Sequence, residues 1–370
     1  MTRLWILTSG RTGDDKQALR LASALDLPFE EKKIVFTGAA RSWRLMLGPS
    51  LASIDPARSS ALEPPWPDLV LSTGWRQVPV VRWIKQQSGG RTRLVQMNRP
   101  PGPEHFDLVL SPPQFRIPPR DNVIQLDWPL QPAPDPRALE TARARWKARL
   151  DRFPHPWTVL LIGGTSYPFS IDPETARGLA RRMLERAREH DGSVMISTSR
   201  RTPKETVAAL TDIAAADRER IFLFGWSPEA TDNPYVAWLA DGDEFVVTPD
   251  SISMLVEVAR LGRPLSIAPH DRTKSLVKDV RGAAKRLLHG NPERPRSVVG
   301  QRVSKLASLL GLKFERDLGS VSRRMISEGW AADFPDFGGR PGEALPDDDL
   351  PRLSARIRDL IGEDSGTGAR

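Results

Sequence analysis

The chain has 370 residues, of which 39% are hydrophobic, and it combines a formal net charge of +8 with a lack of cysteine. This length predicts two domains of ordinary size, and the missing thiols exclude disulfides, thiolate nucleophiles and thiolate metal sites. The five histidines form no ligand pair, so only carboxylates could build a metal site, and we predict neither a metal nor a bound cofactor. The positive charge favours an anionic partner, but no recognisable module points to a nucleic acid.

The N-terminal sequence shows no targeting segment. It leads directly into the apolar run Leu4–Leu7 without a basic start and an extended apolar stretch, and no run is long enough to span a bilayer. We therefore expect a cytoplasmic protein. Residues 38–54 are basic, aromatic and amphipathic, which predicts either a core-packed helix with a solvated basic edge or a peripheral contact with the inner face of the membrane.

In the first part of the chain, two strands are each followed by a polar turn and a helix. The strand Leu4–Thr8 leads into residues 9–17, and the strand 68–73 leads into Gly74. Neither turn carries a phosphate-loop or dinucleotide-binding glycine pattern, which argues against a phosphate-loop NTPase and a standard nicotinamide site. Asp14 lies near a helix start, where a carboxylate either caps the helix or acts on a substrate. Further short apolar strands, which favour a parallel α/β sheet, are predicted at 93–97, 106–110 and 123–126.

Composition divides the chain into parts. Residues 131–156 are rich in proline and charge and include a predicted helix around 138–150, so we interpret them as the interdomain linker. This division gives a first domain at 1–130 and a second at 157–335. Residues 336–370 then form a C-terminal helix and a flexible tail.

Two loops of the second domain follow strands and suit an anionic ligand. After one strand, Gly163-Gly164 has no Cβ to obstruct a pyrophosphate, although the same pair is also typical of a plain tight turn. After the next strand, Arg200 and Arg201 precede a helix for which Thr202 is the predicted cap. Paired guanidiniums at a strand end favour phosphate contact over simple surface charge.

A third loop joins the predicted strand 244–247 to a helix. Asp250, Ser251 and Ser253 are all competent to cap this helix, and a helix N-terminus favours an anion. Glu257 lies one turn further along, where a carboxylate either binds a pair of sugar hydroxyls or is an ordinary solvated residue. Because parallel strands end at one edge of a sheet, we expect the three loops to converge there.

Six segments stand out in order along the chain: Gly10-Arg-Thr-Gly-Asp-Asp-Lys-Gln17, Ser72-Thr-Gly-Trp-Arg76, Ile162-Gly-Gly164, Thr198-Ser-Arg-Arg-Thr-Pro203, Asp232-Asn-Pro-Tyr235 and Thr248-Pro-Asp-Ser-Ile-Ser-Met254 with Glu257. Together they resemble the elongated-mitochondria, or mitochondrial fission, family over most of residues 1 to 335. The first segment departs from the family pattern, because members often have Gly-His-Glu-Asn-Gln where this chain has Gly13-Asp-Asp-Lys-Gln17, so that Asp14 would replace the histidine. The phrase Glu257–Pro264 also resembles a Glu-x-x-x-x-Gly-x-Pro segment of GT-B glycosyltransferases, in which the glutamate binds the nucleotide ribose.

The resemblance implies a GT-B-like α/β fold, with two Rossmann-like domains whose parallel sheets face each other across a cleft. It implies a metal-independent glycosyltransferase whose substrate is a nucleoside-diphosphate sugar. The donor would contact the second domain at Gly163, Gly164, Thr165, Arg200, Arg201, Asn233, Tyr235, Ser251, Ser253, Met254 and Glu257. A saccharide or lipid-linked acceptor would contact the first domain at Gly10, Arg11, Gln17, Thr73, Gly74 and Arg76, with Asp14 as the catalytic base.

Two alternatives stay open at this point. The first is a nucleoside-diphosphate-sugar 2-epimerase, which shares the GT-B fold but usually needs further carboxylates and histidines at the cleft. The second is a non-catalytic protein that recruits a partner to a membrane, as the plant members of the family suggest. Binding of a nucleoside diphosphate would separate the two enzymes from the recruiting protein.

Overall fold

The computed structural model describes residues 2–10, 12–38, 48–115, 117–166, 169–230, 232–272, 317–347 and 349–362, and the chain divides into two compact units. Among these residues, the first unit contains the chain up to Gln131 together with 317, 347 and 349–362. The second contains 132–272 and 318–346. Across the described ranges, no helix has the length and apolar character needed to cross a bilayer. The described helices are α1 Thr12–Ala24, α2 Val78–Gln87, α3 Pro136–Leu150, α4 Pro173–Glu189, α5 Lys204–Ala216, α6 Tyr235–Asp241, α7 Ile252–Arg260, α8 Gly319–Ser327 and α9 Asp349–Ile361.

In the described residues, the first unit is built on a six-stranded parallel sheet with the order β2-β1-β3-β4-β5-β6. The strands β1 and β3 are buried along their whole length, which explains why both are continuous apolar runs without alternation. The strands are β1 Leu4–Thr8, β2 Phe29–Lys33, β3 Leu69–Thr73, β4 Arg93–Met97, β5 Leu108–Ser111 and β6 Val123–Gln125.

Successive residues of β1 supply the two faces of this sheet. Leu4 and Ile6 belong to one apolar core with Leu21 of α1, whereas Trp5 and Leu7 belong to another with Val81 of α2. Helices therefore cover both faces of the first sheet, as the predicted alternation of strands and helices requires.

The C-terminal helix α9 is part of the first unit. Leu353 and Ile357 of this helix are completely buried in the same core as Leu21 and Leu25 of α1. Its amphipathic pattern is visible in the sequence, but the α1 residues that it covers lie more than 300 residues away along the chain. Local sequence patterns carry no information about such a partner.

In the described residues, the second unit has its own six-stranded parallel sheet, in the order β10-β9-β7-β11-β12-β14. The Asp172 carboxylate caps α4, accepting a hydrogen bond from the Thr175 amide at 2.8 Å, and α4 packs on the sheet through residues such as Leu179 and Met183. A short antiparallel pair, β8 and β13, completes the unit. The strands are β7 Trp157–Leu161, β8 Phe169–Ser170, β9 Ser193–Ser197, β10 Ile221–Phe224, β11 Glu244–Val247, β12 Leu265–Ile267, β13 Asp271–Arg272 and β14 Ala332–Asp333.

The proposed linker contains the predicted helix, which is α3. This helix buries Trp146 and Leu150 and packs against α6 within the second unit, and Arg143 Nε pairs with Asp241 Oδ1 at 2.6 Å. Composition alone suggested a connecting segment. The two apolar side chains instead make the helix an integral part of the second unit.

Most of the amphipathic segment 38–54 lies outside the described residues, which resume at residue 48. Residues 48–54 form turns and not a helix, and Ile54 makes an isolated antiparallel bridge with Phe36. The predicted helix therefore does not extend to Ile54. The α/β class and the two Rossmann-like parallel sheets, by contrast, are confirmed.

Candidate functional site

Each sheet has one place where the chain reverses the direction in which it adds strands. In the second unit, the chain runs from β7 outward through β9 to β10 and then returns to the other side of β7 to form β11 and β12. Loops that leave β7 and β11 therefore diverge at the carboxyl edge, and a crevice at such a point is the usual ligand position in parallel α/β sheets. In the first unit, the same reversal lies between β1 and β3.

The Gly163-Gly164 turn after β7 packs against the loops from both neighbouring strands. The amide of Gly163 donates to Thr248 Oγ1 at 2.8 Å, and a Cβ on Gly163 would lie 2.4 Å from Asp250 Oδ2. A Cβ on Gly164, where φ is +152°, would lie 2.2 Å from the carbonyl oxygen of Arg201. The two glycines therefore allow the loops after β9 and β11 to pack closely on this turn, and the approach of a pyrophosphate stays a prediction.

Asp250 is the buried carboxylate of the loop after β11. Its side chain is 3% exposed, the Thr248 hydroxyl donates to Oδ1 at 2.8 Å, and Arg201 Nη1 lies 2.9 Å from Oδ2. Burial raises the pKa of the Asp250 carboxyl above its ordinary value, although Arg201, Thr248 and the Gly164 amide oppose that rise. The sequence indicated Asp250 only as one of three possible caps, so this role was missed.

The structure separates the two arginines of the loop after β9. The Arg201 guanidinium contacts the carboxylate of Asp250 and the hydroxyl of Ser166. Its Nη2 also donates to the backbone carbonyl of Asp250 at 3.5 Å. Arg200 is exposed and forms no ion pair with another residue of the described ranges. Arg201 therefore pairs with Asp250 at the switch point, whereas Arg200 lies on the surface.

The predicted cap of α5 is wrong. The N-cap residue is Pro203, which makes no side-chain cap hydrogen bond, and Thr202 Oγ1 instead donates to the carbonyl of Gly163 at 2.7 Å. Thr202 also accepts from the Ser199 amide at 2.9 Å, and the Ser199 hydroxyl donates to the same Gly163 carbonyl. The buried carbonyl needs donors more than the solvated start of α5 does, which explains why the hydroxyl turns inward.

The start of α7 lies at the same edge. Ser251 occupies the N-cap position without a side-chain cap hydrogen bond, and Ser253 and Met254 follow in the first turn with half-buried side chains. The cap residue leaves the first-turn amides to other partners, and the positive end of the helix dipole adds a preference for negative charge. Thr165, after the glycines, is exposed, and its amide donates to the carbonyl of Arg201 at 3.2 Å.

Glu257 and Tyr235 form a second polar group in this unit. Glu257 is 8% exposed, and the Tyr235 hydroxyl donates to Glu257 Oε2, so Glu257 is not the solvated helix residue of the simpler interpretation. Burial, and then the neighbouring carboxylate, raise the pKa of the Tyr235 hydroxyl well above its ordinary value. Asn233 is exposed, and its Oδ1 accepts from the Tyr235 amide at 2.9 Å at the start of α6.

In the first unit, Asp14 lies at the switch point between β1 and β3. Asn98 Nδ2 donates to Asp14 Oδ1 at 3.2 Å, and a Cβ on Gly74 would lie 3.9 Å from Asp14 Oδ2. Asp15, not Asp14, accepts from the backbone amide of Ser9 at 3.0 Å. The structure thus brings Asp14 and Gly74 together and gives the turn-capping role to the adjacent carboxylate.

Other predicted residues of the first unit have structural partners. Gln17 Nε2 donates to the carbonyl of Gly13 at 3.0 Å, and the amide of buried Thr73 donates to Gln77 Oε1 at 2.8 Å. Arg76 is half-buried beside the Trp75 ring, at 5.7 Å from its centroid. Gly10 is exposed with a φ of +72°, and Arg11 lies outside the described residues.

Sequence reasoning missed Asn98 as well as Asp250. Asn98 directly follows β4 and has the left-handed φ of 71°, which asparagine adopts more readily than most residues. A polar residue placed directly after the strand beside β3 was the available signal. Within the described ranges, no group of three or more His, Asp and Glu side chains could hold a metal ion.

Two Rossmann-like units, each with polar loops at a switch point, define a two-domain α/β protein. The sequence model of the Mitochondrial fission ELM1 family matches residues 12–286, and the chain belongs to this family. The resemblance inferred from the six segments is confirmed.

Relatives and similar structures are distant. Mitochondrial fission protein ELM1 of Arabidopsis thaliana is 26% identical over 231 residues, and the match spans 56% of this chain but only about half, 53%, of that protein. An uncharacterised protein of Rickettsia prowazekii is 24% identical over 71% of this chain and 82% of its own length. Among solved structures, a UDP-GlcNAc 2-epimerase of Methanocaldococcus jannaschii has a TM-score of 0.49 at 12% identity over 98% of this chain and 99% of its own. MurG of Acinetobacter baumannii has a TM-score of 0.42 at 12% identity over 98% and 93%.

Proposed function

We propose that the chain is a metal-independent glycosyltransferase whose donor, a nucleoside-diphosphate sugar, binds at the carboxyl edge of the second sheet. The observation that carries this proposal is the Arg201 guanidinium, which pairs with Asp250 beside the Gly163-Gly164 turn at this edge. The buried carboxylate of Glu257, on the helix α7 that follows β11, supports it. Gly164 lets the loop after β9 pack closely on the turn, Arg201 supplies a planar cation, and Glu257 supplies a carboxylate held by Tyr235. These groups match the needs of a diphosphate and a ribose.

Each part of the donor has a proposed partner. The diphosphate would contact Gly163, Gly164 and Arg201 and the positive end of α7, with exposed Arg200 free to close on it. Glu257 would accept hydrogen bonds from the two ribose hydroxyls, since a carboxylate offers two acceptor oxygens. Thr165 and the first turn of α7, with Ser251, Ser253 and Met254, would also surround the diphosphate. Asn233 and Tyr235 would contact the nucleobase.

Asp14 is the proposed general base in the first unit. In transfer, an acceptor hydroxyl loses its proton to the carboxylate, its oxygen bonds to the anomeric carbon, and the bond from that carbon to the phosphate oxygen breaks. The leaving diphosphate takes the bonding electron pair, and Arg201 stabilises its charge. Asn98 donates to one oxygen of Asp14 and thereby orients the carboxylate. Gly10, Arg11, Gln17, Thr73, Gly74 and Arg76 form the proposed acceptor side.

The acceptor is proposed as a saccharide or a lipid-linked saccharide. A lipid-linked acceptor would bring a cytoplasmic enzyme to the inner face of the membrane, and the basic segment 38–54 is the proposed contact. Vesicles with and without anionic lipid test this point. Co-sedimentation that is abolished when Arg41 and Arg44 are replaced by glutamate would support it, and no sedimentation with either vesicle would contradict it.

The transfer reaction is tested by release of nucleoside diphosphate from UDP-, ADP-, GDP- and dTDP-sugars, with and without saccharide or lipid-linked acceptors. We expect release that depends on the acceptor, and a loss of about 100-fold or more in Asp14→Asn with donor binding retained. Asp26→Asn is the matched control, because Asp26 is exposed at the opposite end of α1 and its φ of 52° suits asparagine.

Three results would contradict the proposal in different ways. Conversion of the sugar at carbon 2 without any acceptor identifies an epimerase. Binding of the nucleotide without either reaction leaves a protein that senses nucleotide sugars. No binding of any nucleotide supports the recruiting protein suggested by the plant members of the family.

A further inference from the structure

Asp250 and Arg201 neutralise each other at the position proposed for the diphosphate. Arg201 Nη1 lies 2.9 Å from Asp250 Oδ2, and the Asp250 side chain is 3% exposed whereas that of Arg201 is 38% exposed. The carboxylate is therefore fixed in the interior by its surroundings. The guanidinium, on a long and partly solvated side chain, is the partner that can move.

The surroundings of the Asp250 carboxylate resemble those of a bound anion. The carboxylate touches the Gly163-Gly164 turn so closely that a Cβ on Gly163 would meet Oδ2 at 2.4 Å, and the Gly164 amide acts on it as a donor. A glycine turn, a backbone amide and an arginine are the groups that commonly hold a phosphate. Asp250 thus takes donors that an incoming diphosphate also needs.

We propose that Asp250 is a built-in competitor of the diphosphate: binding draws Arg201 from Asp250 to the phosphate oxygens, and the Asp250 carboxylate takes up one proton from solvent. This inference rests on the proposed function and adds a proton linkage to it. The chemical balance is simple, because the carboxylate gains the proton that replaces the lost positive charge of Arg201.

The charges around Asp250 support proton uptake. Arg201, on the loop after β9, is the charged residue of the described chain that lowers the pKa of Asp250. The loops after β7 and β11 contribute uncharged donors, which are the Gly164 amide, the amide of Asp250 itself and the Thr248 hydroxyl. Burial already raises this pKa, so removing Arg201 and adding phosphate charge both favour the protonated acid. The protonated acid keeps its hydrogen bond with Thr248.

Calorimetric titration of the full chain in two buffers of different ionisation enthalpy measures the protons taken up. The probes are uridine, adenosine, guanosine and thymidine diphosphate at about pH 8, where the phosphates are fully ionised and do not titrate themselves. We expect net proton uptake when the wild-type chain binds a diphosphate. Asp250→Asn should take up none and bind roughly three- to tenfold more tightly, because the competing charge is gone.

Asp191→Asn is the matched control. Asp191 pairs with Arg220 at 3.5 Å in the same unit, but it precedes β9 and so lies at the opposite end of that strand. The Asp191→Asn variant should therefore bind each diphosphate with wild-type affinity and take up as many protons as the wild type. Wild-type binding without proton uptake, or weaker binding by Asp250→Asn, would overturn the inference. The wild-type proton count decides the matter even if Asp250→Asn does not fold. Failure of every probe to bind either protein would overturn the proposed function, and the inference with it.

Discussion

Gly164 is surrounded by the backbone of the neighbouring loop. A Cβ at this position would lie 2.2 Å from both the carbonyl carbon and the carbonyl oxygen of Arg201 and 2.6 Å from the amide nitrogen of Thr202, and φ is +152°. Because these atoms belong to the main chain, no side-chain rotation can relieve the overlap. We expect Gly164→Ala to lower the free energy of unfolding by about 2–4 kcal/mol through overpacking and backbone strain.

Gly178 provides a matched control for the same substitution. It lies exposed inside α4, and a Cβ there would meet nothing within 4 Å. An alanine at this position reduces the freedom of the unfolded chain and adds helix propensity, so Gly178→Ala should raise the free energy of unfolding by about 0.5–1 kcal/mol.

The assay is urea unfolding followed by circular dichroism, with the slope of the transition compared between variants. A lower midpoint at unchanged slope for Gly164→Ala, and a higher midpoint for Gly178→Ala, are the expected results. If Gly164→Ala unfolded at the wild-type midpoint, the tight packing of the loops after β7 and β9 would be refuted.

Three further predictions concern buried contacts. Tyr235→Phe removes a hydrogen bond to the buried Glu257 carboxylate. This substitution should lower the free energy of unfolding by about 1.5–3 kcal/mol and weaken nucleotide binding roughly tenfold. Unchanged values in both assays would disprove the contact. The Asp107 carboxylate is half-buried, and this desolvation by itself raises its pKa, but Lys85 Nζ at 2.6 Å and the Leu94 amide at 2.8 Å hold that pKa below its ordinary value. The stabilisation that the ionised carboxylate provides is therefore complete above about pH 4, the pKa of aspartate in the unfolded chain, and is lost as the pH falls through the lower pKa of the folded chain. Asp107→Asn should lower the free energy of unfolding by about 1–3 kcal/mol at pH 7 and by little at pH 2, as measured by unfolding at both pH values. An equal loss at both pH values would contradict the ion pair. Leu353→Ala should cost about 2–5 kcal/mol in urea unfolding, because the side chain is fully buried against α1, and a cost below 1 kcal/mol would show that α9 is not part of this core.

The main elements of both sheets are predictable from local sequence. Buried parallel strands must be short apolar runs, and Leu4–Thr8 and Trp157–Leu161 match that requirement with turn residues at their ends. The order of the strands within each sheet is not visible in this way, because pairing partners such as β7 and β11 are separated by more than 80 residues. Parallel topology predicts which loops lie at the same edge of a sheet, but it does not predict which side chains of those loops contact each other.

The candidate site shows the same division. Gly163 and Glu257 stand out in the sequence because of residue type and position, whereas Asp250 and Asn98 look like ordinary cap and turn residues. Their partners, Arg201 and Asp14, come from other loops, so only the folded chain reveals them. Thr202 illustrates the converse error: its sequence context favours a helix cap, but the buried carbonyl of Gly163 takes its hydroxyl.

The proposal that the second unit binds a nucleoside diphosphate through the loops after β7, β9 and β11 is tested most directly by calorimetric titration of three proteins with the four nucleoside diphosphates. We predict one bound diphosphate for the wild-type chain, an affinity about tenfold to 100-fold lower for Arg201→Ala, and wild-type affinity for Asp14→Asn. No binding to the wild-type chain, or equal affinity for wild type and Arg201→Ala, would contradict it.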